Sequence, residues 1–202
     1  MIEADKKREL ILEKAVLRFA HFGIQKTTMN EIAEDLAVSK PSLYYYFPDK
    51  TSLVVAVTEK ILSEYFQQLE KEFESTSDVK TALFAMIELR NSFFKKYFML
   101  HIGHHAIDIN LGNEGVRALI QKAREQETGL IRNLFEKGIE RGEIKTDDVV
   151  ATATLFLDTM VGLNICIMAQ QQKQLVPDSK GVDDVSEKQK SLTQIFLNGL
   201  KN

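Results

Sequence analysis

Three observations predict an all-α fold. Apolar residues recur at helical spacing along almost the whole chain, no stretch alternates with the period of a strand, and only 10 Gly and 3 Pro punctuate 202 residues. So few turn formers cannot supply the hairpins of a β-sandwich or barrel. The expected architecture is three short helices in a helix-turn-helix arrangement over residues 1–49, followed by a longer helical bundle over residues 50–202.

The first helix is expected over Lys7–Phe22, because Leu12, Ala15, Val16 and Phe19 share one face and Gly23 offers a left-handed stop. The second opens at Thr28, where Thr28-Met29-Asn30-Glu31 has the form of a capping box, and Ile32, Ala33 and Leu36 give it a buried side. Ala37-Val38-Ser39 makes a tight turn. Ser39 caps the third helix, Pro41 fits its first turn, Leu43 and Phe47 point inward, and Pro48-Asp49 ends it.

Asp49 caps a long fourth helix from Lys50 to about Phe73, with Leu53, Val57, Ile61 and Tyr65 on one stripe. A fifth helix is expected from Val79 to Phe98, a short segment from His101 to Ile109, and a helix from Val116 to Arg141 with a break near Gly129. Gly142 stops that helix, and Asp147 caps the next, which runs to about Gln172. Lys173 to Ser186 reads as a surface loop on account of Pro177 and Gly181, and Glu187 to Leu200 as the closing helix.

Composition narrows the function classes. A hydrophobic share of 44% with 27% charged residues argues against disorder. Net charge is -3, so no overall basic field advertises nucleic acid; residues 1–50 carry 8 Lys and Arg against 8 Asp and Glu. Cys166 is the lone cysteine, which excludes an internal disulfide framework. The charged N-terminus is unlike a signal peptide, and no apolar run reaches the roughly 18 residues of a membrane span. A soluble cytoplasmic protein is expected.

The helix-turn-helix is the strongest signal, since its second helix can enter the major groove of DNA. On a helical wheel Leu43, Tyr46 and Phe47 fall on one side and Pro41, Tyr44 and Tyr45 on the other, with Lys40 and Ser42 on the flanks. Lys40 suits guanine O6 and N7, and a tyrosine suits a thymine methyl or a phosphate. Spacing is equally compatible with a plain three-helix subdomain that exposes tyrosines.

The stretch from Ile11 to Lys50 resembles the DNA-binding domain of the tetracycline-repressor (TetR) family of transcriptional regulators. Ile11-Leu12, Ala15, Phe19, Gly23, Thr28, Ile32-Ala33, Val38-Ser39, Leu43-Tyr44, Phe47 and Lys50 match in order and without gaps. The resemblance covers about a fifth of the chain. It implies base contacts from Lys40, Pro41, Ser42 and Tyr45, with Asn30 from the preceding helix, and phosphate contacts from Thr28, Tyr44, Tyr46 and Lys50. Ala37 departs from the family's usual glycine; if the turn needs positive φ, alanine costs about 1 kcal/mol there.

Val149, Ala153, Phe156, Met160, Leu163 and Ile167 form one stripe, and Val150, Leu157, Val161, Ile165 and Met168 a second beside it. Two adjoining stripes require burial over most of the helix circumference. Either the helix is central to a monomeric core, or it joins the last helix in a two-fold four-helix interface, as TetR-like proteins use. Met86, Phe93, Phe94, Tyr97 and Phe98, with Phe135, Phe156 and Met160 opposite, read as core or as an apolar pocket. The family resemblance implies a small-molecule ligand there, and His101 and His105 read as polar residues of the pocket or its entrance.

His101, His104 and His105, with Asp108 beyond, also raise a metal-dependent enzyme, but the pairs His101–His105 and His104–Asp108 share neighbouring faces rather than one, and no Cys is near. No phosphate-cradling glycine loop, G-x-S-x-G or H-E-x-x-H motif is present. No metal and no cofactor are expected, and the remaining carboxylates read as surface charges and caps. The expectation is a dimeric, ligand-responsive DNA-binding regulator and not an enzyme. Its rivals are a histidine-site metalloenzyme and a DNA-binding protein that takes no ligand.

Overall fold

The computed structural model describes the backbone of residues 2–97, 114–170 and 179–201, and the side chains of 5–97, 114–165 and 183–201. Among these residues there are eight helices and no strand: α1 (Ile2–Phe22), α2 (Met29–Asp35), α3 (Lys40–Tyr46), α4 (Lys50–Ser75), α5 (Val79–Lys96), α6 (Glu114–Glu140), α7 (Val149–Gln170) and α8 (Ser179–Gly199). None of the described helices is long and apolar enough to cross a membrane. Phe98, His101, His104 and His105 lie outside the described residues, and the side chains of Cys166, Ile167 and Met168 likewise.

The chain divides into two compact units, Met1–Glu64 with Lys96–Lys122 and Tyr65–Lys95 with Ala123–Asn202. In the first, Ile11, Leu12, Ala15 and Phe19 of α1 are buried, as are Ile32 and Ala33 of α2 and Leu43 of α3. In the second, Leu69, Leu83, Met86, Ile87, Ile131, Phe135, Ala153, Phe156 and Met160 are buried. The Phe135 and Phe156 rings meet edge to face at 6.1 Å, and Phe196 of α8 packs on both, 6.5 and 5.3 Å away.

Several boundaries differ from the sequence expectation. The first helix starts at Ile2 rather than Lys7, with Asp5 in its first turn, where negative charge suits the helix dipole. α6 runs unbroken through Gly129, because Glu127, Ile131 and Leu134 bury the turns on either side of it. Asp148, not Asp147, caps α7: its Oδ1 accepts from the Ala151 N–H at 2.9 Å. The expected loop from Lys173 to Ser186 is helical from Ser179 onward. There Val185 and Ser186 are buried and Asp183 pairs with Lys95 at 2.5 Å, contacts that override the turn signal of Gly181.

α7 buries Ala153, Phe156, Leu157 and Met160 but leaves Val150, Leu155 and Ile165 uncovered, the last 59% exposed. Val150 and Ile165 of the second apolar stripe, with Leu155 beside it, therefore face outward in a single copy of the chain.

Candidate nucleic-acid interface

Local chemistry sets the angle between α2 and α3. At the end of α1, Gly23 adopts φ 80° and its N–H returns to Phe19 O at 2.9 Å. The Thr27 hydroxyl donates to Gly23 O at 2.9 Å and fastens the turn. Thr28 then caps α2: its N–H donates to Glu31 Oε2 at 2.7 Å, and its Oγ1 accepts from the Glu31 N–H at 3.3 Å, completing the expected capping box. Arg18 braces α1 against α2, one nitrogen on Asp35 Oδ2 at 2.7 Å and the other on Glu31 Oε1 at 2.9 Å.

Between α2 and α3 the chain turns at Ala37, whose φ is 51°. The turn therefore needs the left-handed conformation, and an alanine occupies it at a steric cost. Val38 N–H reaches back to Ala33 O at 3.0 Å, and Ser39 Oγ accepts from the Ser42 N–H at 3.3 Å to start α3. Leu43 is fully buried and Phe47 nearly so, with the Arg8 guanidinium 5.3 Å from the centre of the Phe47 ring.

What α3 presents outward is then determined. Lys40, Pro41, Tyr44 and Tyr45 are exposed, Ser42 and Tyr46 half-buried, and Tyr45 leads at 81%. The Tyr45 and Tyr46 rings lie edge to face at 5.2 Å, which stiffens the outermost side chain. Asn30 and Thr28 are exposed at the start of α2, although the Thr28 hydroxyl already donates to Glu31 Oε2 at 2.8 Å. A phosphate contact from that hydroxyl requires it to turn away from the cap.

Lys50 opens α4. Its Nζ donates to Gln25 O at 3.4 Å, and burial pushes the ammonium below the ordinary lysine range while Glu31 partly restores it. Asp49 caps the same helix, its Oδ1 accepting from the Ser52 N–H at 2.6 Å. Lys50 is thus anchored beside the α1–α2 turn with donors to spare.

Residues 11–57, which span this head and the start of α4, match the family model for bacterial regulatory proteins of the tetR family. The chain is 30% identical over 161 residues to the HTH-type transcriptional regulator YhgD of Bacillus subtilis (strain 168), covering 78% of this chain and 82% of that one. This chain is a member of the TetR family. It is a DNA-binding transcriptional regulator. A transcriptional regulator from Cytophaga hutchinsonii ATCC 33406 has a similar crystal structure, with a TM-score of 0.83 at 26% identity, covering 97% of this chain and 99% of that one. Over 51 residues the chain is also 41% identical to the probable acrEF/envCD operon repressor of Escherichia coli (strain K12), covering 25% of this chain and 23% of that protein.

The residues expected to line a ligand pocket of this TetR-family chain fall in different places. Met86, Phe135, Phe156 and Met160 are buried in the second unit, and Phe93 and Phe94 are half-buried there. Tyr97 belongs to the first unit, where its hydroxyl donates to Glu64 Oε2 at 3.0 Å. Phe98, His101 and His105 lie outside the described residues. Among the described residues no three His, Cys, Asp or Glu side chains are grouped to hold a metal.

Sequence reasoning missed a polar cluster in the second unit. The Tyr65 hydroxyl donates to Glu127 Oε1 at 2.6 Å, and Arg90 Nη1 donates to both Glu127 oxygens at 2.6 and 2.7 Å. Burial, reinforced by the Glu127 carboxylate, raises the Tyr65 phenol well above its ordinary range, so it is a neutral donor. Nearby, Asn91 Nδ2 donates to Gln189 Oε1 at 3.1 Å and Gln189 Nε2 to Met160 O at 3.2 Å. The sequence carries no motif for either group, because their members lie on different helices: Arg90, Asn91, Glu127 and Gln189 read one by one as surface polar residues, and Tyr65 as part of an apolar stripe.

Proposed function

We propose that this TetR-family regulator is a repressor that binds a palindromic operator as a dimer and leaves it when a small molecule binds. The observation carrying the DNA-reading part is the exposed face of α3, with Tyr45 outermost and Lys40, Pro41 and Ser42 at its N-terminal end. Lys40, Pro41, Ser42, Tyr45 and Asn30 are assigned to base edges, and Thr28, Tyr44, Tyr46 and Lys50 to phosphates. Residues 1–49 form the DNA-reading head in this scheme and residues 50–202 the dimerising and effector-binding part.

The uncovered apolar residues on α7 support the dimer, with Ile195 of the adjoining α8 at 68% exposure. Large aliphatic side chains left on two neighbouring helices suit a second copy of the same surface. Two-fold symmetry places the recognition helices on half-sites about 34 Å apart. α4 is one continuous helix from Lys50 past Tyr65, so a displacement at Tyr65 is transmitted along its axis to the phosphate contact. The similarity to an operon repressor over the DNA-binding segment supports repression.

Footprinting on DNA flanking the protein's own gene tests this reading. The expected result is protection of an inverted repeat with two major-groove contacts one helical turn apart. Protection of a single, asymmetric half-site would overturn the dimeric reading, and no protection would overturn the operator reading.

A further inference from the structure

Arg90 makes unusual use of its guanidinium. Both bonds to Glu127 come from Nη1, and the Tyr65 hydroxyl also interacts with the guanidinium, while Nε and Nη2, the edge that carboxylates prefer, donate no further hydrogen bond to the described residues. The Arg90 side chain keeps 24% of its surface accessible, and neither nitrogen is sealed from solvent. Glu127 is only 8% accessible along its side chain and already accepts three hydrogen bonds. A cationic ligand therefore finds little left to accept its donors, whereas an oxyanion finds a planar fork waiting. A buried guanidinium–carboxylate pair also contributes little to stability compared with apolar residues of equal volume, so stability alone gives it weak justification.

We propose that the outer edge of Arg90 binds the carboxylate of a small molecule, which makes the effector class a carboxylic acid with an apolar body. The inference rests on the effector reading above and names the chemistry of that site. Phe93, one turn along α5, meets the Tyr65 ring edge to face at 5.4 Å, so the guanidinium stands in partly apolar surroundings. Glu127 already neutralises one charge, so affinity comes from the paired hydrogen bonds rather than from net charge. The site accordingly favours a planar monoanion over a dianion, which the Glu127 carboxylate repels.

The test uses the full-length protein labelled on its arginine side chains, with the Arg90 Nε–H signal assigned by its loss in Arg90→Lys. Acetate and benzoate are titrated in, with benzamide and inorganic phosphate as the neutral and dianionic controls. The expected result is a saturable shift of the Arg90 Nε–H signal with benzoate, weaker with acetate and absent with benzamide. Arg90→Lys keeps a positive charge beside Glu127 but lacks the fork, and is expected to weaken benzoate by at least about tenfold. Tyr65→Phe disturbs the same cluster while leaving the fork, and is expected to bind benzoate within about threefold of the original protein. A signal unmoved by both carboxylates, an equal response to phosphate, or equal loss in Arg90→Lys and Tyr65→Phe overturns the proposal. Footprinting without any carboxylate reads the regulator function separately, so failure of one is not mistaken for failure of the other.

Discussion

Glu31 Oε1 lies 2.9 Å from Arg18 Nη2 while its other oxygen accepts the Thr28 N–H, so one carboxylate both caps α2 and ties it to α1. The hydrogen bonds from Thr28, with Arg18 adding to them, hold the Glu31 carboxyl below its ordinary range. A carboxylate depressed in the folded state contributes stability above the unfolded pKa and loses it as pH falls through the folded one. The DNA-reading head should therefore loosen on acidification below the ordinary glutamate range, and Glu31→Gln should flatten that part of the profile. Thr28→Ala should cost about 1 kcal/mol, as loss of a helix cap does. Urea unfolding across that pH range checks both, and an unchanged profile in Glu31→Gln would remove Glu31 from the account.

Lys50 and Tyr45 should fail differently on DNA. Lys50→Ala should weaken binding to all sequences alike and lower the salt slope by about one unit for each phosphate no longer neutralised. Tyr45→Ala should alter sequence preference, at roughly 1–3 kcal/mol for each base edge it ceases to read. Titrations against a randomised operator library at several salt concentrations separate the two, and the reverse pattern would misplace the recognition face.

Two glycines of α6 make opposite predictions. A Cβ at Gly138 would stand 2.3 Å from Val79 Cγ2, and Val79 is buried. Gly138→Ala should therefore destabilise by about 1–3 kcal/mol despite alanine's better helix propensity, and Val79→Ala in the same chain should relieve part of the clash. A Cβ at Gly129 meets nothing within 4 Å. Gly129→Ala should stabilise by up to about 1 kcal/mol. Thermal unfolding of the three variants decides the matter.

Ile165→Glu and Ile195→Glu should separate the proposed dimer without unfolding the subunit, because both side chains point away from its core. Sedimentation should show monomers at micromolar concentration with unchanged helical circular dichroism. Phe196→Glu should instead unfold the protein, since that ring packs on Phe135 and Phe156. A dimer that survives both isoleucine substitutions would place the interface elsewhere.

The N-terminal head was the most legible part of the chain, and the reason is local. Thr28, Ser39 and Asp49 act on backbone amides three residues away, and Gly23 and Gly142 take positive φ as their positions at helix ends suggest. Leu43 and Phe47 are inward and Tyr44 and Tyr45 outward because four residues advance a helix by about one turn. Such rules need no knowledge of the rest of the chain, so the sequence could state which face of α3 is available to DNA.

Elsewhere the answer depended on partners far along the chain. Gly129 looked like a break and Gly181 like a loop, yet burial of Ile131 and Val185 made both segments helical. The two apolar stripes of α7 were visible in sequence, but their unequal burial was not: Phe156 is enclosed and Ile165 is bare. Tyr65, Arg90 and Glu127 are ordinary helix residues until packing places a hydroxyl, a guanidinium and a carboxylate within hydrogen-bond distance. Helical period and capping act over a few residues and can be read from the chain; the meeting of polar groups carried by three separate helices follows only from how those helices pack.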